Sequence, residues 1–572
     1  MNKLLGMIKN LFNVNITMVP LIEFDYRKPQ FNSKLKILPL ERTTPEKQGV
    51  SSKLVYDYIT ELQNEESINM HSVLILRNGK IINETVFGNN DLSVWKMTFS
   101  ACKSVVSIAI GMLIDEGKLD LDTPILDFFS EYSNAVNRIK LRDVTIKTLL
   151  TMSSGSTFNE FACMTTDNWE KSYFKSGFAV KPGTNFNYNS LNTYILSAII
   201  NRVSGTSLTE YLRARLFEPL GIENYHFEKS NSSVEKGGWG LYIIPEDFAK
   251  IGQMVLNNGL WQGKRIVSEK WINLATKKQI ITPESFGNYD YGYHFWVNES
   301  NNSFLFNGMF GQNILGFKDS GILIVSNAGN DELFQQSKFF EITERYFSGN
   351  FENYLPKNKA DYRKLESFNN KQKNHNRKLS VLSFIYKIND YKFIKNFELL
   401  NVKLAANSQN SASVGLLPKL LQIIQNNYSS GFLRVKFFLK KGYLFLQYEE
   451  LESQFIIPLG INEYIRSEID YYGEKYLIAS RITKQGNKYI IDIDYIETFS
   501  SRKLIFERKN SIFFLTHLER PGSNLLKESI SLFKNSFSEN RLLTSVVKTI
   551  NNDFLHNKFK SVFEQSVELF EE

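Results

Sequence analysis

Between Phe99 and Ile114 the chain reads FSACKSVVSIAIGMLI, an almost unbroken apolar run that stops at Asp115 and Glu116. Its length and the glycine at Gly117 predict a helix over Ser100–Leu119. A helix apolar all round cannot lie on a surface, so it belongs in the middle of a domain with partners on every side. It is too short to cross a bilayer, and no integral membrane segment is expected. The flanking sequence supplies the shell. SVLILRNGKIINETVFG (72–88) reads as two strands joined at Asn78-Gly79, a dipeptide suited to a tight hairpin. Further helices are expected over Asn192–Val203, ending at Ser204-Gly205, and over Pro245–Asn257, which starts on a proline. Aromatic strands follow at 289–297, 302–308 and 321–329. Strands, then helices, then strands predict an α+β fold: an antiparallel sheet flanked by helices, with a helical subdomain.

At 572 residues the chain exceeds one domain. We expect an irregular N-terminal extension over 1–45, the α+β domain over 46–350 and a linker over 351–380, where NYLPKNKADYRKLESFNNKQKNHNRK is rich in Asn and Lys. Strand-like alternation then predicts a separate mostly-β region over 381–520, and a helical tail is expected over 521–572. The net charge of +8 is spread over 68 basic and 60 acidic residues, with no basic run or motif for nucleic acid, so no nucleic-acid partner is expected. Two cysteines, Cys102 and Cys163, cannot form a disulfide framework and fit a reducing compartment. The N-terminus lacks a clean hydrophobic signal region, so the expectation is a cytoplasmic protein.

Ser-x-x-Lys is a weak motif by itself; it recurs here at Ser33, Ser172 and Ser233 among other places. Only Ser100 carries it into a long apolar helix. There a serine hydroxyl lies near unpaired N–H groups and the positive end of the helix dipole. Lys103, three residues on, covers the same face. Burial would favour its neutral amine, which could act as a general base toward the serine. The same residues also fit a plainer reading, with Ser100 as a helix cap and Lys103 on the surface. Cys102 points to another side of the turn and has no recognisable histidine partner, so a packed thiol is expected. The six histidines are scattered singly, without metal-ligand spacing, and no metal site is expected. No Gly-x-Ser-x-Gly elbow occurs.

Taken in order, five segments resemble one family. FSACKSVVSIAIGMLIDEGKLDLDTPILDFF, VTIKTLLTMSSG (144–155), the 182–222 segment with Tyr188-Asn189-Ser190, the 237–271 segment with YGYHFW (291–296), and FNGMFGQNILGFKDSGILIVSNAG (306–329) are similar to serine β-lactamases and penicillin-binding proteins of the class C type. The likeness is strongest to the 6-aminohexanoate-dimer hydrolase and esterase branch. The resemblance covers roughly 45–345 and implies the β-lactamase/transpeptidase-like fold. It implies Ser100 as nucleophile, Lys103 as its base and Tyr188 as the proton carrier to the leaving group, with a neighbouring ammonium lowering the phenol's pKa. Ser190 stands where β-lactamases often have Asn. Phe306-Asn307-Gly308 stands where they have Lys-Thr-Gly or His-x-Gly, so no basic group is offered to a substrate carboxylate. Gly308 would permit close approach, and the N–H near Met309 would join that of Ser100 in an oxyanion hole, although Gly311-Gln312 offers a second register. Trp169 falls in a segment that borders the cleft in relatives and is expected as a substrate wall, with core packing as the alternative. The implied function is a serine hydrolase cleaving a small amide or ester through an acyl-enzyme, without metal or cofactor. A catalytically weak binding module of the same fold is the alternative.

Overall fold

The computed structural model describes residues 27–160, 166–331, 337–373, 388–408, 431–450, 453–522 and 566–572, except 36, 472 and 511 (and 409, which falls between two of these stretches). It also describes Cys163, 377–378, 410, 412–416, 418, 553 and 557. These fall into two compact units, 27–87 with Asp91–Gln372, and 88–90 with 373 onward.

The first unit is built on a seven-stranded sheet. Its strands are β1 (Met70–Arg77), β2 (Lys80–Val86), β3 (Asp290–Tyr291), β4 (Trp296–Asn298), β5 (Ser303–Gly308), β6 (Gln312–Phe317) and β7 (Ile322–Ala328), in the order β2-β1-β7-β6-β5-β4-β3. Every neighbouring pair is antiparallel. Asn78 and Gly79 both take positive φ, 52° and 78°, as the expected hairpin turn requires. Alternate side chains serve two cores. Leu74, Leu76, Phe304, Phe306 and Val325 enter one, while Val73, Ile75, Leu305 and Ile324 enter the other.

Helix α1 (Ser52–Asn64) and helix α6 (Lys338–Phe347) cover the second face; helix α5 (Pro245–Leu256) packs on β6 and β7 from the first. Between α1 and α5 in sequence lie α2 (Cys102–Asp115), α3 (Trp169–Lys175) and α4 (Ser190–Ser204). As expected, α2 is buried almost throughout. It begins two residues later than the sequence suggested, because Phe99–Ala101 forms a 3-10 turn entered through Phe99 at φ 48°. Its two inner serines are satisfied in the core: Ser104 donates to the His294 carbonyl and Ser107 to that of Tyr293, both at 2.6 Å. Gly111 is required because the Trp271 ring occupies the space of a Cβ, 2.2 Å away.

The boundaries differ from expectation at both ends of this unit. The supposed extension is held down before residue 45: Thr43 N–H donates to Ile81 O at 2.9 Å, and Arg42 bonds Glu246 at 2.6 Å. The supposed linker contains α7 (Lys359–Lys373), whose Leu365 is buried in the second core and whose Phe368 packs on Tyr56. Its polar sequence misled because only one stripe of the helix is covered.

In the second unit, helix α8 (Ile388–Lys395) precedes a mostly-β region. Its strands are β8 (Lys403–Ala406), β9 (Phe432–Lys440), β10 (Tyr443–Glu450), β11 (Gln454–Ile461), β12 (Ile465–Tyr471), β13 (Glu474–Gln485), β14 (Lys488–Tyr495), β15 (Ser501–Lys509), β16 (Ile512–Arg520) and β17 (Ser566–Glu571). Nine of them close into a barrel, β13-β11-β10-β9-β8-β17-β16-β15-β14 and back to β13, with β12 paired on β13. Inward residues alternate along each strand: Leu444, Leu446 and Tyr448, then Ile491, Ile493 and Tyr495. The end of the chain corrects the expected helical tail, since Ser566–Glu571 is a strand pairing with both β8 and β16. The rest of that expectation falls mostly outside the described residues.

Candidate active site

The site forms where the head of α2 meets the ends of β5 and β6 and the start of α4. Ser100 lies in the 3-10 turn before α2. The cap positions fall on Thr98 and Ala101, so Ser100 is not a helix cap. Lys103 is 1% exposed, which also excludes the surface reading. Its Nζ lies 2.8 Å from Ser100 Oγ and donates to the Gly238 carbonyl at 2.6 Å. Burial pulls its pKa down to about 8, with Cys102 and Glu160 opposing. About a tenth of the amine is therefore neutral at pH 7, far more than for an ordinary lysine. Cys102 is fully buried, donates to Gly237 O at 2.9 Å, and its thiol is pushed up to about 12, so it stays a packed thiol.

Tyr188 reaches the same point from the start of α4. The ammonium nitrogen of Lys103 sits 4.9 Å from the centre of its ring, and its phenol is hydrogen-bonded to Ser100. The ring stacks on Trp296 at 5.9 Å and belongs to an aromatic group with Phe186 and Tyr291. Here the sequence reading needs correction. The phenol is pushed up rather than down, because burial outweighs its hydrogen bond from Ser100. It is held as a proton donor.

Gly308 ends β5 against the nucleophile turn. A Cβ there would come within 2.2 Å of Thr98 O, so the close approach needs glycine. Met309 begins the turn to β6, and Gly308 pairs with Gln312 across it. Phe310 in that turn has φ 64° and meets Phe99 edge-on at 5.7 Å. Two non-glycine residues in the left-handed region thus face each other across the site. Phe306 and Asn307 are confirmed as neighbours on β5, and neither is basic.

Ser190 is the first residue of α4, 5% exposed, and its N–H donates to Glu160 Oε1 at 2.7 Å. Trp169 does not line the cleft. It opens α3, is 3% exposed, and packs on Tyr194 at 5.1 Å and Trp239 at 5.6 Å, so it is core. A large aromatic on a short helix finds more contact there than at a wet wall. Sequence reasoning passed over Gly238 and Glu160, whose roles arise only from contacts distant in sequence. The Gly237-Gly238 pair was the one visible hint: a Cβ at Gly238 would lie 2.8 Å from Ser190 O. Among the described residues no helix is long and apolar enough to cross a membrane.

A serine and a buried lysine at the head of a core helix, set against an antiparallel sheet with helices on both faces, define the β-lactamase/transpeptidase-like class. Residues 56–336, just under half of the chain, match the family model described as Beta-lactamase, a family whose members are mainly serine hydrolases. PbpX of Bacillus subtilis, named as a candidate penicillin-binding protein, is 24% identical over 299 residues, covering 46% of this chain and 71% of that protein. The 6-aminohexanoate-dimer hydrolase of Paenarthrobacter ureafaciens is 25% identical over 247 residues, 39% of this chain and 62% of that one. Among solved structures, FmtA from Staphylococcus aureus aligns with a TM-score of 0.42 at 18% identity, over 61% of this chain and 98% of that one.

Proposed function

We propose that the first unit is a serine hydrolase that cleaves a small amide or ester through an acyl-enzyme on Ser100. The observation that carries this reading is the buried Lys103 amine, 2.8 Å from the Ser100 hydroxyl and with its pKa drawn down to about 8. Neutral Lys103 takes the Ser100 proton as Oγ attacks the substrate carbonyl carbon. The N–H groups of Ser100 and Met309 stabilise the oxyanion. The Tyr188 phenol gives its proton to the leaving nitrogen or oxygen as that bond breaks, and regains one from the Lys103 ammonium. Water then repeats the sequence on the acyl-enzyme, and the acid leaves Ser100 free. With Phe306 and Asn307 where a cation would bind a carboxylate, the acyl portion is a neutral one. Cys102 and Cys163 are both buried free thiols, which fits a cytoplasmic location.

A fluorophosphonate probe tests the reading. Wild type is expected to gain a single phosphonyl adduct on the peptide containing Ser100, seen by mass spectrometry, while Ser100→Ala gains none. A folded wild type that stays unlabelled, or labels equally in both proteins, rules the hydrolase out.

A further inference from the structure

Lys103 works as a base only by becoming an ammonium, and with its side chain buried that ammonium needs a compensating charge. The titratable groups that face it are Cys102 on its own helix, Tyr188 at the start of α4, His294 before β4 and Glu160 in the loop that follows residue 155. Cys102 holds its proton to about 12, the Tyr188 phenol is pushed up, and His294 is pushed well below its ordinary value, so all three are neutral at pH 7. Among the described residues, Glu160 is left as the negative charge acting on Lys103.

The loop is built to hold it there. The Asn189 side chain donates to the carbonyls of Ser156 at 3.1 Å and Phe158 at 2.9 Å, which fastens the loop to the head of α4. Glu160 Oε1 then accepts the Ser190 N–H at 2.7 Å. Ser190 in turn packs against Gly238, whose carbonyl receives Lys103 Nζ at 2.6 Å. The carboxylate and the amine are thus linked through the Ser190–Gly238 contact.

We propose that Glu160 is the counter-charge of the Lys103 base, stabilising the ammonium formed when Ser100 loses its proton. It touches no reacting atom and acts through Lys103, so it is a positioning residue. The inference rests on the hydrolase reading for its role in turnover, but the pairing itself does not.

Glu160→Gln is the informative variant, because the amide oxygen can still accept the Ser190 N–H while the charge is gone. Titration of the Lys103 ε-carbon by NMR, with the signal identified by its loss in Lys103→Ala, is expected to show a midpoint lower than wild type by at least about half a pH unit. Glu160→Asp, which keeps the charge, should bring the midpoint back toward wild type. The rate of fluorophosphonate reaction at Ser100 should show its acid limb displaced to lower pH in Glu160→Gln, with a plateau several-fold lower. An unmoved Lys103 midpoint overturns the proposal, as does a lower plateau with the acid limb in place, since that marks a purely structural loop. If wild-type Ser100 proves unreactive, the hydrolase reading fails while the Lys103 titration still decides whether Glu160 is its counter-charge.

Discussion

Lys103 concentrates the physics of the site in one side chain. Its amine is removed from water, bonded to one carbonyl and one hydroxyl, and held near a pKa of about 8. The sign of the pH dependence follows. A base with a depressed pKa is protonated and idle below that value and free above it, so acylation should rise with pH through about 8 and then level off. The Tyr188 phenol, pushed above its ordinary value, keeps its proton across that range and should impose no alkaline fall below pH 10. The pH profile of probe reaction at Ser100 checks both statements. A rate already flat between pH 6 and 9 would mean that Lys103 is not the titrating base. Ser100 and Lys103 were readable as a pair because three residues on a helix separate neighbours on one face. The direction of the Tyr188 shift was not readable, because it depends on how thoroughly the phenol is covered.

The edge of β5 and the 3-10 turn before α2 form a second unit of explanation. They approach so closely that Gly308 has no room for a side chain, with Thr98 O 2.2 Å and Gln312 O 2.9 Å from a Cβ placed there. Gly308→Ala should therefore push the strand end and Met309 away from Ser100. The expected cost is about 1–3 kcal/mol in stability and at least about a tenfold slower acylation. Denaturant midpoints and probe kinetics measure the two separately; a folded variant that reacts at the wild-type rate would remove the Met309 N–H from the oxyanion hole. The strand itself was legible from its alternation, and so was the need for glycine in that region. What packs against the glycine was not, because Thr98 and Gly308 are remote in sequence.

The first unit, taken entire, does not end where its catalytic strands end. Arg77 is 5% exposed and donates to the carbonyls of Ser320 and Phe351 at 3.1 Å, and also to that of Glu352. Helix α7 then adds Leu365 and Phe368 to the second core. A chain stopped at 350 leaves the Arg77 guanidinium buried without two of its acceptors and strips that core. A chain stopped at 373 keeps both. Urea unfolding of the two truncated proteins should separate them by at least about 3 kcal/mol in favour of the longer. Equal stability would show that residues 351–373 are only a connection, as their composition first suggests. The second unit makes the same point at its own end, where β17 closes the barrel although its segment resembles a helix.

Local chemistry alone determined a good deal: a buried helix from an unbroken apolar run, a hairpin from Asn78-Gly79, strands from alternation, and a serine and lysine one turn apart. Each of these depends on residues close together in the chain. Tertiary structure decided the rest: Trp169 in the core, Glu160 behind Ser190, Gly238 on the amine, Arg77 locked by residues 351–352, and a barrel closed by the last strand. Those depend on which distant segments meet, and burial, not spacing, then shifts the pKa values of Lys103, Cys102, Tyr188 and His294.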